Sequence, residues 1–206
     1  MMEEILQEAK VDKDSLGDFN IDRGMFIPSQ FRNNDTDIDD NFPLGTNRYL
    51  MSSRNFAKIL QLADVRPTDN VLDIGCATGY SAAIISRLAK KVTAIEVDYL
   101  LYTIAVKMIN RLRFSNVEVV NAPLGRGNKE RGPYSIIFIN GAIKEIPDNL
   151  FGQLNDGGKI ISIIYKKHDK KQNSGMVIGE VILIEKKNEV LSKTELLSIN
   201  CFTLDL

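Results

Sequence analysis

The sequence has 206 residues, 44% of them hydrophobic and 26% charged, and its 26 Lys and Arg nearly balance 27 Asp and Glu. This length and composition favour a soluble domain with a sizeable core, and the balanced charge excludes a strongly basic nucleic-acid-binding protein. Two cysteines and one histidine provide neither a disulfide framework nor a zinc site, so no metal is expected. No apolar run is long enough to span a bilayer and the first residues do not resemble a signal peptide, so we expect a cytoplasmic protein.

Residues 1–52 differ from the rest of the chain because their apolar residues are too sparse for a core of their own. A short amphipathic helix is predicted at residues 5–9, and a polar loop at residues 35–40. We interpret residues 1–52 as an extension or lid on a single domain that comprises the whole chain, with the core in residues 53–206.

From Ser53 onwards, the apolar residues alternate between helical and extended spacing. The predicted helices run from residue 53 to before Pro67 and over residues 81–90, 99–113 and 147–154. The predicted strands cover residues 71–74, 92–95, 117–120, 134–139, 159–165, 177–184 and 191–202, with a charged loop at residues 166–174. Strands that alternate with helices predict a mostly parallel α/β sheet with helices on both faces, and the last two strands predict an antiparallel edge.

The turn after the first of these strands is the most informative segment, and reads Asp-Ile-Gly-Cys-Ala-Thr-Gly-Tyr over residues 73–80. Ligands of doubly wound sheets bind at this turn. The small residues at positions 75, 77 and 79 let the backbone approach a ligand closely. Glu96 stands 21 positions after Gly75, at the end of the next strand, where an acid can accept two hydrogen bonds from a ribose diol.

Two cofactors are compatible with a glycine-rich turn followed by an acid. A nicotinamide site requires G-x-G-x-x-G, but the third glycine position is occupied here by Tyr80. S-adenosylmethionine has no phosphate, and its ammonium and sulfonium charges suit Asp73. The pattern therefore favours an S-adenosylmethionine site, against the alternative that the glycines only serve a tight turn.

Several segments together resemble the protein-L-isoaspartate O-methyltransferase family, as a divergent bacterial branch. Residues 71–83 (VLDIGCATGYSAA) are similar to the first motif of that family. Residues 139–147 (INGAIKEIP) and 154–160 (LNDGGKI) resemble its later strand and helix boundaries. Residues 23–28 (RGMFIP) and 43–45 (PLG) are similar to its Arg-x-x-Phe-Val-Pro and Leu-Pro-Ile-Gly stretches.

The resemblance implies a Rossmann-like S-adenosylmethionine-dependent methyltransferase fold with a seven-stranded sheet. It implies methyl transfer to the carboxylate of L-isoaspartyl residues in damaged proteins, which is a protein-repair reaction. We expect a monomer whose partner is a protein or peptide substrate, with no nucleic acid and no membrane. Glu96 would hold the ribose hydroxyls and Val97 would lie against the adenine. The predicted cofactor site comprises Asp73, Gly75, Cys76, Ala77, Gly79, Glu96, Val97 and Ala122.

Three segments depart from the family pattern. The family places Thr-Ile-Ser-Gln-Pro near the reacting carboxylate, whereas residues 48–52 read Arg-Tyr-Leu-Met-Ser here, with Leu50 in the position of the serine. Residues 121–124 lack the acidic residue of the family near the adenine, and residues 200–206 lack its Arg-Phe-Val-Pro-Leu ending.

Methyl transfer from a sulfonium is a direct displacement, in which positioning supplies most of the gain in rate. An isoaspartyl carboxyl with a pKa of about 4 is ionised at neutral pH and needs no general base. Arg48 is the candidate that orients it, because a guanidinium binds a carboxylate in a planar fork, and Ser52 is the second catalytic candidate. Three alternatives remain. Arg48 could be a surface residue, the protein could be a methyltransferase with another acceptor, or it could be a non-catalytic binding module.

Overall fold

The computed structural model describes residues 21–29, 40–45, 47–165 and 176–206. Three predicted elements lie outside the described residues: the helix at residues 5–9, the polar loop at residues 35–40 and the charged loop at residues 166–174. Asp40 is the one residue of these elements that the structure describes. No described helix has the length and apolar character that crossing a membrane would require.

The part of the chain that the structure describes contains nine strands in two sheets. A two-stranded ribbon pairs β1 (Phe42–Pro43) with β2 (Tyr49–Leu50). The other strands are β3 (Asn70–Ile74), β4 (Lys91–Glu96), β5 (Val117–Asn121), β6 (Tyr134–Ile143), β7 (Leu154–Ile164), β8 (Met176–Lys187) and β9 (Val190–Phe202). They form one sheet in the order β5-β4-β3-β6-β7-β8-β9, in which β8 and β9 are antiparallel to their neighbours and the rest are parallel. The predicted mostly parallel seven-stranded sheet with an antiparallel edge is confirmed.

Within the described residues, four α-helices accompany the sheet: α1 (Ser53–Ala63), α2 (Tyr80–Ser86), α3 (Tyr99–Arg111) and α4 (Asp148–Phe151). Short 3-10 helices lie at Arg23–Phe26, Leu124–Arg126 and Lys129–Arg131. Two helices are shorter than their apolar patterns predict. The chain leaves α2 after Ser86 because residues 87–90 turn into β4, and α4 is a single turn because β7 already begins at Leu154.

The core has two layers, one on each face of the sheet, because side chains alternate along each strand. On β6, Ile136 and Phe138 face the layer that contains helices α1 to α3, whereas Ile137 and Ile139 face the opposite layer. That second layer is covered by short segments, which contribute Leu124, Leu150 and the C-terminal Leu204. Both faces of the central strands are therefore buried, which explains their nearly continuous apolar sequences.

The order of the strands determines where a ligand can bind. From β3, the chain continues through β4 to β5 on one side and later returns through β6 to β7 on the other. The crevice at the carboxyl ends of the strands next to this reversal is where doubly wound sheets bind ligands. The turn after β3, Glu96 at the end of β4 and Asn140 on β6 meet at this point.

Candidate cofactor and acceptor site

The turn between β3 and α2 has a tightly constrained backbone. Gly75 and Gly79 adopt φ angles of 78° and 94°, a region that favours glycine. The backbone N–H groups of Gly75 and Cys76 both donate to the carbonyl oxygen of Ile95, at 2.9 and 3.2 Å. A Cβ atom on Gly79 would lie 3.2 Å from the Cβ of Ala105 on α3. The two glycines therefore serve the packing of the turn as well as any ligand.

Glu96 is fully buried beneath this turn and accepts four hydrogen bonds. Its Oε2 accepts from the backbone N–H of Ala77 at 2.8 Å and from Nη2 of Arg48 at 2.5 Å. Its Oε1 accepts from the backbone N–H groups of Val97 and Asp98, both at 3.0 Å. An ionised carboxylate has about four acceptor positions, so these donors occupy all of them.

Arg48 immediately precedes β2 and is 8% exposed, so the alternative that it is a surface residue is wrong. A tight turn places it there, because its N–H donates to the carbonyl of Gly45 and its carbonyl accepts from the N–H of Leu44, both at 2.8 Å. The Nη2 atom pairs with Glu96. The Nε atom is buried and has no hydrogen-bond partner among the described residues.

Asp73 is a second buried acid at the same edge of the sheet. It accepts hydrogen bonds from the hydroxyl of Ser81 at 2.7 Å and from the amide Nδ2 of Asn140. Burial raises the pKa of the Asp73 carboxyl to about 7, although these two hydrogen bonds counteract part of the effect of burial. The carboxyl therefore changes its charge close to neutral pH.

Two adjoining cavities lie between this edge of the sheet and the segment that precedes α1, with volumes of about 300 and 310 Å³ when the space open to solvent is included. The turn cavity is lined by Tyr49, Leu50, Met51, Phe56, Gly75, Cys76, Ala77, Tyr80, Ser81 and Asn140. The arginine cavity is lined by Asn41, Arg48, Tyr49, Met51, Asn140, Gly141, Cys201, Phe202 and Thr203. Tyr49, Met51 and Asn140 line both, so the two cavities share a wall.

The C-terminal residues after β9 return to the same crevice. The N–H of Leu204 donates to the carbonyl of Ala142 at 2.8 Å, next to a parallel bridge between Thr203 and Ala142. The side chain of Leu204 is 6% exposed and lies against Gly75, where an added Cβ would be 3.1 Å from its Cδ2. The same added Cβ would be 3.2 Å from Nη2 of Arg48. Leu204 and Arg48 thus cover the first glycine of the turn.

The remaining predicted residues occupy different places around the site. Ser52 is the N-cap of α1, where its hydroxyl accepts from the N–H of Asn55 at 3.1 Å, and it lines neither cavity. Val97 is 49% exposed at the rim of the crevice. Ala122 donates its N–H to the carbonyl of Glu96 at 3.3 Å. Cys76 is buried, and burial raises the pKa of its thiol well above the usual range, which disfavours a reactive thiolate.

Asn140 and Leu204 are site residues that sequence reasoning missed. Asn140 interrupts an otherwise apolar strand at the carboxyl edge of the sheet, and this interruption was the available signal. Leu204 carried no signal, because nothing in a leucine near the C-terminus indicates that it packs against the turn after β3. Among the described residues, no cluster of three or more His, Cys, Asp or Glu side chains is placed to hold a metal ion.

A mostly parallel seven-stranded sheet with a glycine-containing turn after β3 and a buried acid at the end of β4 defines the Rossmann-like class of S-adenosylmethionine-dependent methyltransferases. The sequence profile of the family described as Protein-L-isoaspartate(D-aspartate) O-methyltransferase (PCMT) matches residues 2–194. The chain belongs to this family of S-adenosylmethionine-dependent enzymes, which confirms the resemblance found in the sequence.

Individual relatives agree with this assignment. The protein-L-isoaspartate O-methyltransferase of Helicobacter pylori (strain G27) is 28% identical over 169 residues, which cover 79% of this chain and 80% of that protein. The protein of the same name from Methanococcus aeolicus is 28% identical over 179 residues, which cover 85% of this chain and 78% of that protein.

Solved structures share the fold. A protein-L-isoaspartate O-methyltransferase structure superposes on the whole of this chain with a TM-score of 0.80 and 24% identity, and this chain spans 66% of its length. A second structure, from Plasmodium falciparum, is described as this type of methyltransferase in complex with S-adenosyl-L-homocysteine. It superposes with a TM-score of 0.77 and 20% identity, and the match covers 99% of this chain and 96% of that chain.

Proposed function

We propose that this chain methylates the carboxylate of L-isoaspartyl residues in damaged proteins, with S-adenosylmethionine as the methyl donor. The observation that carries this proposal is the shared wall of the two cavities. One cavity lies at the turn where this class of fold takes its cofactor, and the other contains a buried guanidinium. A methyl donor and a carboxylate acceptor would therefore be neighbours.

The framework of the turn fits the cofactor. Glu96 is a buried acid at the end of β4, where a carboxylate can hold ribose hydroxyls, and Asp73 is a second acid for the cationic end. Gly75, Cys76, Ala77 and Gly79 would contribute their backbone, and Val97 and Ala122 would border the adenine. S-adenosylmethionine, when bound, supplies a methyl group activated by the sulfonium. In the described conformation, Arg48 and Leu204 lie against Gly75.

The arginine cavity would orient the acceptor. The carboxylate of an isoaspartyl residue is already ionised at neutral pH, so the protein has to position it rather than deprotonate it. Arg48 carries a buried Nε without a partner among the described residues, and a bidentate carboxylate would satisfy this atom. The stacked rings of Tyr49 and Phe202, with centroids 3.4 Å apart, form a wall that would exclude water. Ser52 would act indirectly, by fixing the start of α1.

The broader expectations remain part of this proposal. We propose a monomeric cytoplasmic enzyme that acts on proteins or peptides and has neither nucleic acid nor membrane as a partner. The segment before α1 would act as a lid on a single domain. Packing supports this assignment, since the buried Phe26 contacts Tyr80 of α2 edge to face at 5.5 Å between ring centroids.

A methyltransferase with another acceptor is the second candidate. Leu50 stands where the family has a serine, and the structure buries it to 4% exposure against the turn cavity. Met51 lines both cavities. The wall between donor and acceptor is therefore more apolar than a hydroxyl-bearing segment would make it, and such a wall favours a more apolar acceptor.

A methyl-transfer assay tests the function. It measures the transfer of labelled methyl from S-adenosylmethionine to an isoaspartyl peptide, with the corresponding aspartyl peptide as control. Binding of S-adenosylhomocysteine is measured in parallel by calorimetry. Labelling of the isoaspartyl peptide alone supports the proposal. Cofactor binding with labelling of neither peptide, but of another acceptor, would favour the second candidate. Folded protein that binds no cofactor would contradict both candidates and leave a non-catalytic binding module.

A further inference from the structure

The wall that the two cavities share contains one amide side chain, that of Asn140. This residue interrupts the apolar sequence of β6, is half-buried and lines both cavities. Arg48 lines the arginine cavity as well. A guanidinium and an amide therefore border the space in which the acceptor would lie, and the proposed function so far uses only the guanidinium.

The neighbours of Asn140 determine which way its amide points. The Nδ2 atom donates to the carboxylate of Asp73, and it also lies 3.4 Å from the hydroxyl oxygen of Ser81 and 3.5 Å from the carbonyl oxygen of Ile74. The hydroxyl proton of Ser81 is donated to Asp73 at 2.7 Å, so the Ser81 oxygen can only accept from Asn140. A reversed amide would place Oδ1 against three acceptors. The amide oxygen is therefore held on the side away from Asp73.

This oxygen is a free acceptor. None of the described residues donates a hydrogen bond to Oδ1 of Asn140. Asn41, which lines the arginine cavity too, differs in this respect. Its Oδ1 accepts from the N–H of Ser52 at 3.0 Å and its Nδ2 donates to the carbonyl of Asn200 at 3.3 Å. Asn140 thus presents an acceptor that a ligand can use, whereas both ends of the Asn41 amide are occupied.

The proposed acceptor has a donor in a suitable place. In an isoaspartyl residue the chain continues through the side-chain carboxyl, so the free carboxylate and the peptide N–H are attached to the same carbon atom. In an aspartyl residue the free carboxylate is one carbon further from the N–H. A site that binds the carboxylate and the N–H together therefore recognises a spacing that only the isoaspartyl residue has.

We propose that Asn140 is a specificity-determining residue, whose Oδ1 accepts a hydrogen bond from the peptide N–H of the isoaspartyl residue while Arg48 binds its carboxylate. This inference rests on the proposed function. The contact transfers no proton and serves only to position the acceptor. Two contacts, one to the cation and one to the amide oxygen, would fix the carboxylate in orientation as well as in place, at the wall next to the methyl donor.

A single-atom change in the substrate tests the contact with the unmodified protein. We compare an isoaspartyl peptide with its ester analogue, in which an ester oxygen replaces the N–H of the isoaspartyl residue. The assay is run at about pH 8, above the pKa of about 7 of Asp73, so that Asp73 is ionised and accepts from Asn140. We expect kcat/KM to be about tenfold lower for the ester, because an ester oxygen would face Oδ1 where a donor is required.

The failures of the two proposals can be told apart in this experiment. Equal kcat/KM for the peptide and its ester would overturn the role of Asn140 and leave the proposed function intact. Folded protein that methylates neither substrate would contradict the proposed function itself.

Two matched variants assign the preference to one amide. Asn140→Ala should accept the peptide and the ester with kcat/KM values within about twofold of each other, because the variant has no amide oxygen to satisfy. Asn41→Ala should keep the preference of about tenfold, since the amide of Asn41 has no free acceptor. Thermal melting curves establish that the variants are folded. If Asn140→Ala does not fold, Asn140→Ser takes its place, because a hydroxyl can still donate to Asp73. A preference that persists in the folded Asn140 variant would show that another group accepts the N–H and would overturn the inference.

Discussion

The guanidinium of Arg48 and the carboxylate of Glu96 form a buried ion pair, with 2.5 Å between Nη2 and Oε2. The pair joins the ribbon before α1 to the end of β4 across 48 positions of sequence. The side chain of Glu96 is fully buried and that of Arg48 is 9% exposed, so neither charge is compensated by bulk water. Removal of one partner leaves the other as an isolated charge in a medium of low polarity.

Arg48→Ala should therefore lower the free energy of unfolding by about 3 kcal/mol in the absence of cofactor, measured by urea denaturation. Arg66→Ala is the matched control, because Arg66 pairs with Asp64 at 2.9 Å on the exposed surface and should cost less than about 1 kcal/mol. The folded fraction of Arg48→Ala should have lost methyl transfer. Full activity of this variant would eliminate Arg48 as the residue that orients the acceptor.

Glu96→Gln should weaken the binding of S-adenosylhomocysteine by about 10- to 100-fold, because a neutral amide accepts weaker hydrogen bonds from ribose hydroxyls than a carboxylate does. Calorimetry measures the affinity. Glu118→Gln provides the control, since Glu118 pairs with Arg131 on the exposed side of the neighbouring strand β5. A loss of affinity that is equal in both variants would show that overall charge, and not the position of Glu96, governs binding.

The buried Asp73 predicts a specific dependence of stability on pH. Its pKa is about 7 in the folded protein and about 4 in an unfolded chain, so between these values the folded state binds more protons than the unfolded state. The free energy of unfolding should therefore decrease as the pH rises from 4 to 7, by on the order of 4 kcal/mol from this residue. Denaturation at several pH values should show a flatter profile for Asp73→Asn. The exposed Asp64→Asn should keep the original slope, and a common slope for all three proteins would refute the assignment.

Gly79→Ala should destabilise the protein by about 1–3 kcal/mol, because the φ angle of 94° is strained for alanine and the new Cβ would press on Ala105. It should also weaken cofactor binding. Gly152→Ala is the control glycine, with an ordinary φ of −71° and its nearest neighbour 3.7 Å from an added Cβ. Thermal unfolding should show little change there or a slight gain. Similar losses at both positions would contradict a special role for the turn.

Ser52 distinguishes a helix cap from a catalytic hydroxyl. Ser52→Ala should lower stability by about 1 kcal/mol while the folded protein keeps its rate of methyl transfer, since the hydroxyl caps α1 and lines neither cavity. Ser52→Asn should restore the stability, because asparagine is an equally good N-cap. A loss of transfer in both variants, with stability recovered in Ser52→Asn, would establish a catalytic hydroxyl.

Local patterns in the sequence were sufficient for the framework of the fold and indicated the cofactor. The apolar runs at β3 and β4 predict buried parallel strands because both of their faces are covered. The turn at residues 73–80 and the spacing to Glu96 predict the cofactor because they involve consecutive strands, whereas the family was indicated by the resemblance of several segments together. The lengths of α2 and α4 were overestimated, since apolar periodicity does not record where the next strand begins to pair.

The arrangement of side chains around Arg48 and Gly75 depends on tertiary structure. Arg48 could be recognised as a candidate, but its burial and its pairing with Glu96 result from the packing of a ribbon onto a strand far away in sequence. Asn140 meets Asp73 only because β6 pairs with β3, and Leu204 reaches Gly75 only because β8 and β9 carry the chain back across the sheet. The sequence by itself determined which local elements form and which cofactor they suit. Long-range packing decided which side chains meet in the crevice, because contacts between distant parts of the chain leave no periodic signal in the sequence.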